Sequence, residues 1–162
     1  PILIKMATKS FTVKTKLPPN PFVHEILEQV SKQRTKAKKI DALKEHRSDA
    51  LVSLLIWNFD DTVISMLPNG EVPYERSEVP LGTDHTSLRK EYRNLYHFVK
   101  GGNDSLSKTR RESMFIQMLE GLHPTEADIL CLVKDKQLQS VYKINRTLIE
   151  EAYPDIKWGG RS

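Results

Sequence analysis

The densest group of side chains able to do chemistry is Lys32-Gln33-Arg34-Thr35-Lys36-Ala37-Lys38-Lys39, five cations in eight residues. Lysine ammonium groups act as point charges and arginine presents a planar fork of donors, so such a run suits a phosphate backbone. At helical spacing Lys32, Lys36 and Lys39 share a side. No aromatic residue is interleaved with them, so base stacking has no support. A second basic group, Lys108, Arg110 and Arg111, falls in the first turns of a helix that starts after Ser107. Cations there oppose the helix dipole, a local conflict that points to phosphate or carboxylate binding. The plainer account of Arg110 and Arg111 is pairing with Glu112 or with acids on a neighbouring helix.

Covalent and metal chemistry find little footing. The chain has no P-loop, no G-x-G-x-x-G, no G-x-S-x-G, no H-E-x-x-H and no C-x-x-C. His24, His46, His85, His97 and His123 are scattered at intervals that set no two on one helical face. Asp60-Asp61 and Asp84 read as helix starts rather than cation ligands, and Cys131 as a small core residue with an inert thiol. The expectation is a protein with no catalytic residue, no metal and no cofactor.

Other residues suit protein partners. The stretch from Asn69 to Thr83 carries no period and reads as a surface loop of about fifteen residues. Loops of that length are often functional, which singles out Tyr74, Glu75 and Arg76. Phe11, in a loosely alternating front segment, and Trp158, beside two glycines near the end, are candidate anchors for a partner. Such a tryptophan also commonly folds back over its own domain.

These residues need elements to hold them. The Leu17–Pro21 segment, with three prolines, is a stiff connector. A helix follows with Asn20 as cap, Pro21 in its first turn and a stripe of Phe22, Val23, Ile26, Leu27 and Val30. The basic run leads into a second helix ending near His46. Ser48 caps a third, apolar nearly all round, with Leu51, Leu54, Leu55, Trp57 and Phe59, as suits a central helix. A short amphipathic turn with Val63, Ile64, Met66 and Leu67 ends at Pro68. Leu88, Tyr92, Leu95, Tyr96 and Val99 then mark one helical face, closed by Gly101-Gly102. Further helices run from Ser107 to Gly121, from His123-Pro124 through Val133, and from Asn145 to Tyr153.

The 162 residues suit one domain, with 38% hydrophobic and 28% charged residues. The single cysteine excludes an internal disulfide and implies a reducing compartment. The apolar run from Leu51 to Phe59 is too short to span a bilayer, and Pro1 to Lys16 lacks the apolar core of a signal peptide, so no membrane partner is expected. Charge is uneven: residues 1–47 carry 11 Lys or Arg against 4 Asp or Glu, and residues 48–162 carry 14 against 17. The basic character belongs to the front end, which favours polyanions.

The predicted fold is therefore all-α: a single compact domain of six to seven short helices packed around Trp57, Phe59, Tyr92, Tyr96, Phe115 and Met118. Residues 1–20 form an extended basic arm and connector, 21–156 the helical domain and 157–162 an irregular tail.

Several runs carry a resemblance: Thr35-Lys36-Ala37-Lys38-Lys39-Ile40, Leu54-Leu55-Ile56-Trp57-Asn58-Phe59, Val72-Pro73-Tyr74, Gly82-Thr83-Asp84-His85-Thr86, and Glu112 to His123. Together they resemble uncharacterised proteins encoded by contractile-tailed phages of marine bacteria, especially cyanophages, over roughly residues 22 to 158. The resemblance implies a phage-encoded protein working in the cytoplasm of an infected bacterium, and it assigns no residue a role. The favoured function is a non-catalytic accessory protein that binds nucleic acid, or a phage or host complex on it, through Lys32, Arg34, Lys36, Lys38, Lys39, Arg110 and Arg111. The alternative is a virion or assembly component that docks on neighbouring subunits through its arm and tail.

Overall fold

A computed structural model describes residues 17–77 and 86–161. Phe11 and the Asp84 and His85 assignments lie outside the described residues. Seven α-helices occur among the described residues: α1 (Val23–Lys32), α2 (Lys36–Glu45), α3 (Asp49–Phe59), α4 (Leu88–Glu91), α5 (Lys108–Gly121), α6 (Pro124–Lys134) and α7 (Arg146–Ala152). Two 3-10 segments, Tyr92–Phe98 and Leu138–Ser140, continue α4 and follow α6.

Helices α3 and α6 form the centre. Helix α6 packs against α1, α3 and α5, α3 also receives α4 and the longer 3-10 segment, and α2 lies on α1 and α7. The all-round apolar sequence of α3 is explained by this placement: Leu51, Leu54, Leu55 and Trp57 are all buried. Each such side chain contributes roughly 1.5–3 kcal/mol when withdrawn from water, which outweighs the few tenths that separate good from poor helix formers.

Side-chain caps set most helix starts. Thr35, Ser48, Ser107 and Asn145 each accept a hydrogen bond from the backbone N–H three residues on, at 2.8–3.2 Å. Helix α1 begins two residues later than Asn20 predicts, with Phe22 as cap, because the Glu25 carboxylate accepts from the Phe22 N–H at 2.8 Å. Glu126, in the first turn of α6, is fully buried. Its two oxygens accept from Val23 N–H and Leu88 N–H, both at 3.0 Å. Val23 opens α1 and Leu88 opens α4, so one carboxylate meets the positive ends of three helices.

The face expected from Leu88 to Val99 and the core position of Tyr96 both fail for one reason. The face predicted from Leu88 to Val99 assumes 3.6 residues per turn, but after Glu91 the chain tightens to a 3-10 helix, which rotates the pattern. Tyr96 is thus 48% exposed rather than in the core, while Leu95 and Phe98 are buried; Phe59 and Tyr92 sit at the core's margin. The turn ends where Gly101 adopts φ +89° and a Cβ on Gly102 would lie 1.9 Å from the Tyr96 carbonyl oxygen. The segment with Ile64 and Met66 is not helical either. It pairs with the chain after the 3-10 helix through an isolated antiparallel bridge, Ser65 to Val99.

Candidate nucleic-acid interface

The basic run does not lie on one helix. Lys32 ends α1, residues 33–35 turn, and Thr35 caps α2, so Lys36, Lys38 and Lys39 leave on a second axis. The shared side expected for Lys32, Lys36 and Lys39 is replaced by a corner between two helices. The corner is joined by a residue the sequence reading missed, Lys143, 104 positions from Lys39. Lys39 Nζ donates to the Lys143 carbonyl at 2.6 Å, and the Lys143 N–H donates to Ser31 Oγ at 2.7 Å. No local pattern marks Lys143, because a single exposed lysine in a loop looks like any other.

The five predicted cations of the run divide. Lys36 pairs with Glu151 of α7, both about half exposed. Exposed pairs of this kind contribute about 0.2–1 kcal/mol, so the ammonium group exchanges partners cheaply. Lys39 is half-buried and committed to its carbonyl. Lys32, Arg34, Lys38 and the Lys143 ammonium group are exposed and have no side-chain partner among the described residues. Four exposed cations thus border the α1–α2 junction.

The second basic group is split differently. Arg110 is exposed, as expected of a binding residue. Arg111 is 4% exposed and its guanidinium is spent inside the fold. Nε donates to the His97 carbonyl at 2.9 Å, and Nη2 to those of Asn103 and Leu106 at 3.0 and 3.1 Å. Arg111 is therefore removed from the candidate contacts, and its place in the first turns of α5 reflects a need to tie down the preceding loop. Arg110 lies apart from the corner, because α5 packs mainly on α6 and the longer 3-10 segment.

Other charged side chains are also structural clamps. Lys134 donates to the carbonyls of Pro68 and Gly70 and to Asp135; Lys136, at φ +57°, donates to those of Trp57 and Asp60 at the end of α3. Asp60 closes α3 rather than starting a helix. Burial alone would raise its carboxyl pKa, but hydrogen bonds from Thr62, from Gly159 N–H and from Arg161 hold it well below the usual carboxylate range. That grip fastens the tail. Trp158 is half-buried with the Arg146 guanidinium 4.6 Å above its ring, so it covers its own domain and is not presented to a partner.

Tyr74 and Arg76 come together. Arg76 forks onto Asp128 at 2.5 and 3.2 Å and donates to the Tyr74 hydroxyl at 3.2 Å. They form one wall of an open groove of about 1000 Å³ along α6. Cys131, half-buried against the core, also lines that groove, and burial pushes its thiol up to about 11. The fold also unites two histidines that spacing kept apart: His24 and His123 stack with ring centroids 5.3 Å apart. His123 Nδ1 accepts from Thr125 N–H, which makes the histidine the cap of α6.

No group of three or more His, Cys, Asp or Glu able to hold a metal occurs among the described residues, and no helix there is long and apolar enough to cross a membrane. In comparison with known proteins, residues 26–140 match the model of a family of unknown function, DUF6433. No curated protein and no solved structure matches the chain.

Proposed function

Since the chain belongs to DUF6433, a family of unknown function, we propose its role from its own surface: a non-catalytic module that binds nucleic acid at the α1–α2 corner. The observation that carries this reading is that Lys32, Arg34, Lys38 and Lys143, from either side of the α1–α2 junction and the loop held against it, are exposed with no side-chain partner among the described residues. A group of exposed cations without aromatic platforms suits a duplex backbone better than splayed bases. Lys36 stands beside them as an exchangeable fifth contact. The resemblance to phage-encoded proteins supports setting this binding in an infected bacterium, on nucleic acid or on a phage or host complex already assembled there. Docking through the tail has less support, because Trp158 and Arg161 are engaged by Arg146 and Asp60.

The test is titration of labelled duplex across a salt series. Four phosphate contacts give a log–log slope of about −3.6, so affinity falls roughly 150-fold between about 50 and 200 mM salt. Lys38→Gln should weaken binding at every sequence and make that slope shallower by about 0.9. Binding that ignores salt, or a Lys32→Gln, Arg34→Gln, Lys38→Gln, Lys143→Gln chain that binds as before, would remove the corner as the site.

A further inference from the structure

The groove along α6 has no place in the nucleic-acid reading. At about 1000 Å³ it stands at the upper end of small-molecule clefts, which run roughly 300–1,000 Å³. It follows α6 from Thr125 to the C-cap Asp135, a length of about 15 Å. Its charges are mostly settled within the protein. Arg76 forks onto Asp128, and Asp135 accepts from Lys134 Nζ at 2.6 Å and from Gly70 N–H at 3.2 Å, which leaves the exposed Glu71 carboxylate. The neutral groups are the unspent ones. Tyr142 is only 7% exposed, yet its hydroxyl has no hydrogen-bond partner among the described residues. Nor is that oxygen sealed in, since the fully covered side-chain polar atoms without a partner are His24 Nδ1 and Trp57 Nε1. The Thr125 hydroxyl and the Gln137 side-chain amide are also without partners there, and Tyr74 accepts from Arg76 while its own O–H stays unspent. Val72, Pro73, Leu132 and Val141 add apolar surface.

Such a lining selects by neutrality. The cation in it, Arg76, is committed to Asp128, so an anion finds no partner. A wholly apolar ligand would take the Tyr142 and Thr125 hydroxyls out of water and give them nothing in return. A hydroxyl donates and accepts at one atom, so a ligand that carries hydroxyls on an apolar frame can satisfy both hydroxyls and the amide. We infer that the groove binds a short neutral oligosaccharide, its C–H faces against Val72, Leu132 and Val141 and its hydroxyls on Tyr142, Thr125 and Gln137. The Arg76–Asp128 pair contributes as well, because a carboxylate has about four lone-pair sites and the fork occupies only part of them. Burial raises the pKa of the Tyr74 hydroxyl, and pushes the Tyr142 hydroxyl up to about 12 and the Cys131 thiol up to about 11. All three therefore keep their protons at neutral pH and remain uncharged donors.

The experiment titrates the full 15N-labelled chain with maltotriose, cellotriose and the trimer of N-acetylglucosamine, and with glucose 6-phosphate as a charged counterpart. Binding predicts saturable shifts centred on the amides of Val72, Cys131, Gln137 and Tyr142 with at least one of the three sugars. The affinity should be the same at about 50 and about 200 mM salt, because no charge is exchanged. Tyr142→Phe removes a hydroxyl that no described residue holds, so Tm should stay as it is while affinity falls about tenfold, the loss of one ordinary hydrogen bond. No shift with any of the three, shifts centred elsewhere, tighter binding of glucose 6-phosphate, or full affinity in Tyr142→Phe overturns the inference. So do the same shifts raised by a neutral Ala-Ser tetrapeptide and by none of the sugars, since the occupant would then be a peptide. The α1–α2 corner is tested separately, by its dependence on salt.

Discussion

Replacing Arg111 with methionine separates the two roles its position allows. Arg111→Met keeps the buried stem but removes donors from three carbonyls, those of His97, Asn103 and Leu106. A hydrogen bond from a charged donor contributes about 1.5–3 kcal/mol net, which taken three times overstates the loss. Asn103 and Leu106 are only half-buried, so water can reach part of their turn, and removing the cation also removes the cost of burying it. The expected destabilisation is about 3–4 kcal/mol. For a chain of this length each kcal/mol moves the midpoint about 2–4 °C, so Tm should fall by about 10 °C. The assay is a thermal melt followed by helical circular dichroism, with duplex titration well below the melt. Weakened nucleic-acid binding with an unchanged Tm would refute the reasoning and return Arg111 to the phosphate contacts that spacing alone suggests.

Two further outcomes follow from buried titratable groups. His24 is buried with Nδ1 unpartnered, and burial, reinforced by stacked His123 and opposed by Glu28 and Glu25, lowers its pKa. Above about pH 6.5 both folded and unfolded histidine are neutral; below it the unfolded chain takes up a proton that the folded one resists, so stability declines as pH falls. Denaturant melts should show stability declining between about pH 7 and 5.5, and His24→Phe, which keeps the stack on His123 and Phe22, should flatten that decline; an equal decline in the variant would exonerate His24. Asp60→Asn weakens the strap on Gly159 and Arg161, with an expected cost of about 2–3 kcal/mol and faster tryptic cleavage after Lys157. Because the folded Asp60 carboxyl is held low, its contribution is full above about pH 4 and fades as pH drops below that value; a tail equally protected in the variant would mean other contacts hold it.

Local chemistry was enough to read much of this protein from its chain. Ser48, Ser107 and Asn145 mark helix starts because a cap depends on residues three apart, and the apolar girth of α3 foretells a central helix because burial on every side leaves no polar face. The basic run is equally visible as a source of charge. What the run does in space is not, since Thr35 breaks it across two axes and Lys143 arrives from far along the chain. Burial was the other thing hidden. Arg111, Lys134 and Lys136 look like surface cations, and Glu126 like a first-turn acid, yet each is placed where unpaired carbonyls or helix ends converge. Tertiary structure decides such cases because a charged group enters a low-dielectric interior only where several partners meet, and those partners come from segments that sequence spacing cannot bring together.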